Sequence, residues 1–192
     1  MNRIDAKLVF ILLVVLVFVS SILAISIGPV SIPFKKTILI LYSNLTLSQR
    51  EIAPSTKVII NQLRFPRAII GLVVGGSLAV SGTVMQGLFR NPLATPYILG
   101  VASGGSAGTA LIILLGASSP YALPIGAFLG AGGAVFMVYR FAWLDGEAST
   151  YRLILAGVAL SAFFSAITTF LIFLSGPYEQ NRILIWIMGG LS

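Results

Sequence analysis

Little in this chain could make or break a covalent bond. Its 192 residues include no histidine and no cysteine. Without an imidazole base a serine hydroxyl stays weakly nucleophilic. Ser–His catalysis, including that of an intramembrane protease, is therefore excluded, although Gly-Ser pairs are abundant. The lack of thiols excludes a disulfide frame and a thiolate metal site. No G-x-x-x-x-G-K-[ST] stretch occurs that could cradle ATP phosphates. The residues imply no enzyme, no cofactor and no metal centre. What remains is a small set of polar groups at the edges of apolar runs: Arg64, Arg67, Gln86, Asn91, Tyr97, Ser149 and Thr150. Such groups can dock a partner, cap a helix or line a gate.

The elements that position them are membrane spans. The chain is 57% hydrophobic and 9% charged, against about 25% charged in soluble domains. Mean hydropathy is +1.02. An all-α integral membrane protein follows, a polytopic bundle of about five transmembrane helices within a single domain over 1–192. The run 8–27 is uncharged and long enough to span. It follows a short polar head with Arg3, Asp5 and Lys7, and it reads as an uncleaved helix and not a signal peptide, being longer than a usual signal core. Residues 28–66 form the longest polar segment. Its apolar patches, 37–42 and 58–60, are too short to span and suit amphipathic pieces on the surface. Further spans are expected at 68–89, 97–115, 121–138 and 153–174. The apolar piece 183–188 is too short to cross and reads as an interfacial or re-entrant helix anchored by Trp186.

Small residues recur every fourth position in these spans, so they share one helix face. Gly71 and Gly75, Gly100 and Gly104, Gly126 and Gly130, and Gly157 are the expected packing positions. Such stripes let neighbouring helices approach closely. No expected span contains Asp, Glu, Lys, Arg or His, which argues against a proton-coupled carrier. Uphill transport would draw its energy from another chain. The net charge of +7 sits in membrane-flanking loops, which points to anionic lipid or an acidic partner and not to nucleic acid. By charge alone, the side with Lys35, Lys36, Arg50, Lys57, Arg64, Arg67 and Arg182 would be the cytoplasmic one.

The segment 63–108 carries more. Leu63-Arg64-Phe65-Pro66-Arg67, Gly76-Ser77-Leu78-Ala79-Val80-Ser81-Gly82, Gln86, Arg90-Asn91-Pro92-Leu93-Ala94-Thr95-Pro96 and Ile98-Leu99-Gly100-Val101 follow one another in fixed order. This pattern resembles the permeases of binding-protein-dependent ABC importers for vitamin B12, ferric siderophores and haem. Leu155-Ala156-Gly157-Val158-Ala159-Leu160 and Trp186-Ile187-Met188-Gly189-Gly190 resemble later parts of the same family. The resemblance implies a multi-pass protein of the cell membrane with its N-terminus in the cytoplasm, against the charge count. It implies a permease homodimer that works with a separate ATP-binding cassette ATPase and an external substrate-binding protein. Arg64 and Arg67 would dock that protein at the outer rim. Asn91 and Leu93 would form the cytoplasmic gate, with Ser149 and Thr150 as further gate candidates. Family members have about ten spans of ~20 residues, so this chain corresponds to the first half, and the family's coupling loop lies beyond it.

Two other classes fit parts of the sequence. A passive channel is one, because Asn91-Pro92-Leu93 is similar to the Asn-Pro-Ala turns of water channels. A non-transporting assembly subunit is the other, because small-residue stripes serve packing as well.

Overall fold

A computed structural model describes residues 6–46, 53–117, 119–144 and 147–190. Residues 1–5 of the polar head, Arg50, Ser118 and Asp145 lie outside them. The described chain forms two compact units that divide within one helix, the first running to Ser77 and the second covering Leu78–Gly190.

In the first unit, α1 (Ala6–Ser26) is apolar around its circumference. Leu8 to Val19 are exposed, as lipid-facing side chains must be when no water core is available to hide from. An amphipathic helix follows, α2 (Phe34–Thr46). The chain then re-enters helix at Pro54, whose missing N–H costs nothing at a helix start. It runs through α3 (Pro54–Val58), a π-helical segment Ile59–Arg64, and α4 (Phe65–Phe89). The π segment ends two residues before Pro66, where a proline cannot donate to residue 62 and crowds that carbonyl. Ile25, Ile32, Ile40 and Ile60 form the core of this unit.

In the second unit, a 3-10 turn Pro96–Leu99 leads into α5 (Val101–Leu114). Then come α6 (Ala122–Ala142), a two-residue hairpin pairing β1 (Trp143–Leu144) with β2 (Glu147–Ala148), α7 (Thr150–Leu174) and α8 (Pro177–Met188). Glycines set the distance between α5 and α6. A Cβ on Gly104 would lie 2.5 Å from the Ala134 Cβ and from the Gly130 carbonyl oxygen. One on Gly108 would run into the Gly126 carbonyl, and one on Gly130 into that of Gly104. The two backbones touch because nothing stands between them. Gly157 does the same for α7, where a Cβ would run into the carbonyl of Ile98. Gly100 has φ +70, a left-handed conformation that an L side chain strains to adopt.

Several expected boundaries shift. The helix that carries the second expected span starts at Pro54, so Arg64 and Arg67 lie inside a continuous helix and not at its head. The expected span 97–115 becomes a turn plus the 14-residue α5. At ~1.5 Å per residue α5 covers only about 21 Å. Four described helices are long and apolar enough to cross a membrane, with α5 a shorter apolar fifth. The short helix expected at 183–188 begins at Pro177. Within the described chain nothing lies within 4 Å of a Cβ placed at Gly75, so that face of the helix is open there.

The α5–α6 register can be checked directly. A Cβ on Gly105 would lie 3.8 Å from the Ala131 Cβ, the mean separation across a disulfide. In this cysteine-free chain, the double variant Gly105→Cys/Ala131→Cys is expected to lose both free thiols on mild oxidation, measured by maleimide mass tagging. Two persistently free thiols would mean a different register.

Candidate functional site

Two clusters gather the polar residues singled out in the sequence. The first is the rim of the first unit. A helix leaves its last four carbonyls without intrahelical donors, and in hydrocarbon each such orphan is costly. At the end of α1 an arginine supplies the donors. Arg64 Nη1 donates to the carbonyls of Ile25 (3.1 Å) and Ser26 (2.8 Å), and Nη2 donates to the carbonyl of Val30. Gly28 leaves room for this guanidinium: a Cβ there would lie 2.7 Å from Arg64 Nη2. Arg67, one helical turn on, is exposed. It borders a groove of about 730 Å³ that also touches Ser21, Ala24, Val30, Leu63 and Gly71. The two arginines therefore differ. One is turned into the protein, and the other is presented outward.

The second cluster lies in the second unit, where α4 ends. Phe89 is the last helical residue and is buried. Arg90 takes a left-handed conformation at φ 48, and the Asn91 N–H donates back to the Gln86 carbonyl at 3.1 Å. This closes the helix much as a Schellman turn does. The Asn91 side chain then accepts from the Leu93 N–H at 2.9 Å, and its carbonyl accepts from the Ala94 N–H at 3.1 Å. An Asx turn of this kind is a local, self-sufficient fold. It throws Leu93 outward, 82% exposed, while Ala94 plugs inward. Asn91 thus caps its own turn and not a half-helix, so the water-channel likeness finds no matching geometry.

Ser149 stands as the N-cap of α7. Its hydroxyl accepts from the Arg152 N–H at 3.3 Å and from Arg152 Nε at 3.1 Å. Thr150 follows as the first helical residue and is exposed. A single core ties these pieces together, comprising Phe89, Ala94, Leu99, Val138, Ala142 and Leu153. The Asn91–Leu93 turn and the Ser149–Thr150 start of α7 therefore border one floor. Gln86 contributes its backbone carbonyl to the helix end, and Tyr97 is exposed.

Among the described residues no group of three or more potential metal-ligating side chains occurs. Sequence reasoning missed Gly28 and the three carbonyls held by Arg64. They lie 34 to 39 residues away in sequence, and a backbone acceptor leaves no trace in residue type.

The profile of the FecCD transport family matches residues 12–192. The chain belongs to the FecCD transport family. FecCD relatives carry the same segment. The cobalamin import system permease protein BtuC of Halobacterium salinarum is 42% identical over 137 residues, covering 71% of this chain and 37% of that protein. The achromobactin transport system permease protein CbrC of Dickeya dadantii is 42% identical, covering 69% and 38%. The molybdate import system permease protein MolB of Haemophilus influenzae is 36% identical, covering 94% and 53%. A solved structure of a metal-chelate type ABC transporter in an inward-facing conformation matches with a TM-score of 0.76 at 34% identity, covering 97% of this chain and 54% of that one. This FecCD chain thus spans about half, or less, of the length of the relatives it matches. Its long apolar helices and its permease relatives make it a multi-pass membrane protein.

Proposed function

We propose that this chain forms the outer docking rim and the cytoplasmic gate in the permease subunit of an ABC importer for an iron chelate, a corrinoid or haem. The observation that carries this is the shared floor beneath the Asn91–Leu93 turn and the start of α7. Two polar turns from distant parts of the chain meet there on one packed base, so a shift in either moves the other. That is what a gate requires. The rim bearing Arg64 and Arg67 would receive a substrate-binding protein, with the N-terminus of the chain in the cytoplasm of a cell-membrane permease dimer. ATP would be bound and hydrolysed by a separate ATPase, since this sequence has no phosphate-cradling loop. Relatives named for cobalamin, achromobactin and molybdate differ in cargo, so this chain's cargo class would be set largely by its binding protein.

The cysteine-free sequence offers a test in the source cell. Leu93→Cys is expected to react with a bulky, membrane-impermeant maleimide in inside-out vesicles only. Uptake of cobalamin or a ferric siderophore driven by the full importer should be lost on labelling. Complete labelling with uptake intact would remove the gate role, and labelling from the outside alone would reverse the orientation.

A further inference from the structure

We propose that α2 lies in the plane of the membrane surface and binds anionic phospholipid. Phe34, Ile38 and Tyr42 enter the boundary between headgroups and acyl chains, and Lys35 and Lys36 face headgroup phosphates. This does not depend on the transport function proposed above.

The place of α2 follows from α1. The 21 residues of α1 make a helix about 31 Å long, which crosses the ~30 Å hydrocarbon core with little to spare. Its last residue, Ser26, therefore sits at a membrane surface. α2 starts soon after, at Phe34, and is pinned there, because Ile40 is fully buried in one core with Ile25, Ile32 and Ile60. Thr37 and Ser43 are buried along the same side of α2 as Ile40. The opposite side is open and is not polar. At about 100° per residue, Phe34, Ile38 and Tyr42 share an arc of about 80°, and all three are exposed. Water is a poor solvent for such a stripe. The membrane interface accommodates it, since apolar side chains enter the acyl boundary and tyrosine settles at headgroup level. Lys35 follows on the edge of the stripe and Lys36 beyond it, and both are exposed. The described residues of this first unit include no aspartate or glutamate, so they offer these lysines no carboxylate. The phosphates of an anionic leaflet supply the complementary charge. Around α2 the surroundings thus follow one another as protein core, lipid and headgroup, the pattern of a helix lying in the interface.

The test places a nitroxide on Ile38→Cys or, in a second variant, on Phe34→Cys, in the otherwise cysteine-free chain. The host is a phosphatidylcholine liposome with or without phosphatidylglycerol. Collisions with oxygen, which concentrates in lipid, are compared with those of a water-soluble nickel chelate by EPR power saturation. With phosphatidylglycerol present, both labels are expected to favour oxygen severalfold more than a label on Lys36→Cys does. Omitting phosphatidylglycerol should shift both labels toward nickel. So should Lys35→Gln combined with Lys36→Gln, and so should high salt, which screens exposed charges. Labels at 34 and 38 as open to nickel as the one at 36 would put the stripe in water and overturn the proposal. Immobile labels reached by neither collider would overturn it as well, because protein and not lipid would then cover the stripe. An oxygen preference indifferent to phosphatidylglycerol would remove the headgroup contact. No readout here is transport, so loss of the permease reading would leave the result standing.

Discussion

Replacing Gly157 with valine is expected to destabilise this chain by about 3 kcal/mol or more. The new Cβ would run into the Ile98 carbonyl. Backbone cannot rotate away as a side chain does, so α7 must lift off the Pro96–Leu99 turn. That turn contributes Leu99 to the floor under the Asn91–Leu93 turn and the start of α7, and α7 contributes Leu153. The loss would spread beyond one contact. The measurement is the midpoint of unfolding as SDS is titrated into mild-detergent micelles, followed by far-UV circular dichroism. Gly132→Val is the control, because nothing lies within 4 Å of a Cβ at Gly132. It should change stability by no more than about 0.5 kcal/mol. Equal midpoints for the two variants would mean that α7 does not rest on that carbonyl.

The second large effect is electrostatic. Arg67→Glu puts a negative charge where an exposed positive one stood. If carboxylates of a binding protein meet this rim, the change turns attraction into like-charge repulsion. Uptake at limiting binding protein should then fall at least about tenfold, chiefly through slower association. Raising the salt concentration should narrow the gap, since exposed charges are screened over about 8–10 Å in physiological buffers. A carboxylate-to-lysine change on the binding protein should restore uptake to Arg67→Glu and impair it with the unaltered chain. Full uptake by Arg67→Glu at limiting binding protein would place docking elsewhere.

Most of the fold was legible because hydropathy and span length are nearly one-dimensional signals. α1, α6 and α7 lie close to their expected places for that reason. The errors have specific causes. Lys57, Asn61, Gln62, Arg64 and Arg67 interrupt the apolar run, so hydropathy alone places its start after them. A helix tolerates such residues wherever its end reaches the interface, and this one continues back to Pro54. Hydropathy alone likewise shortens α8 to its apolar end at 183–188. Pro177 at its first turn and Glu179 just after it are N-terminal signals that composition alone overlooks.

The packing glycines were legible as a spacing but not as a partnership. Gly104, Gly126, Gly130 and Gly157 each meet backbone or side chain, whereas among the described residues nothing lies against Gly75, which has the same periodicity. Periodicity states which face is smooth and leaves open what lies against it. The gate candidates were found through a family resemblance. What the structure adds is that Asn91 and Ser149 are bound up in their own local hydrogen bonds, so either would act by shape and not by free polar groups. Arg64 was the hardest to read, because its role depends on carbonyls that every residue but its neighbours could have supplied.

The π-helical segment Ile59–Arg64 has one more consequence. Its ladder closes five residues apart, with the Phe65 N–H on the Ile60 carbonyl, so it holds one residue more than the α-helical path needs. Removing a single residue there would let the segment wind as ordinary α-helix. The chain on either side would keep nearly its present phase, because the wide turn already absorbs the extra residue. Were the same residues wound as α-helix instead, everything before the segment would turn by about 100° around the axis, the step of one α-helical residue. Ile60, now fully buried, would then swing out of phase with Ile25, Ile32 and Ile40. The segment thus keeps phase, and it makes a one-residue deletion at this point milder than one elsewhere in the same helix.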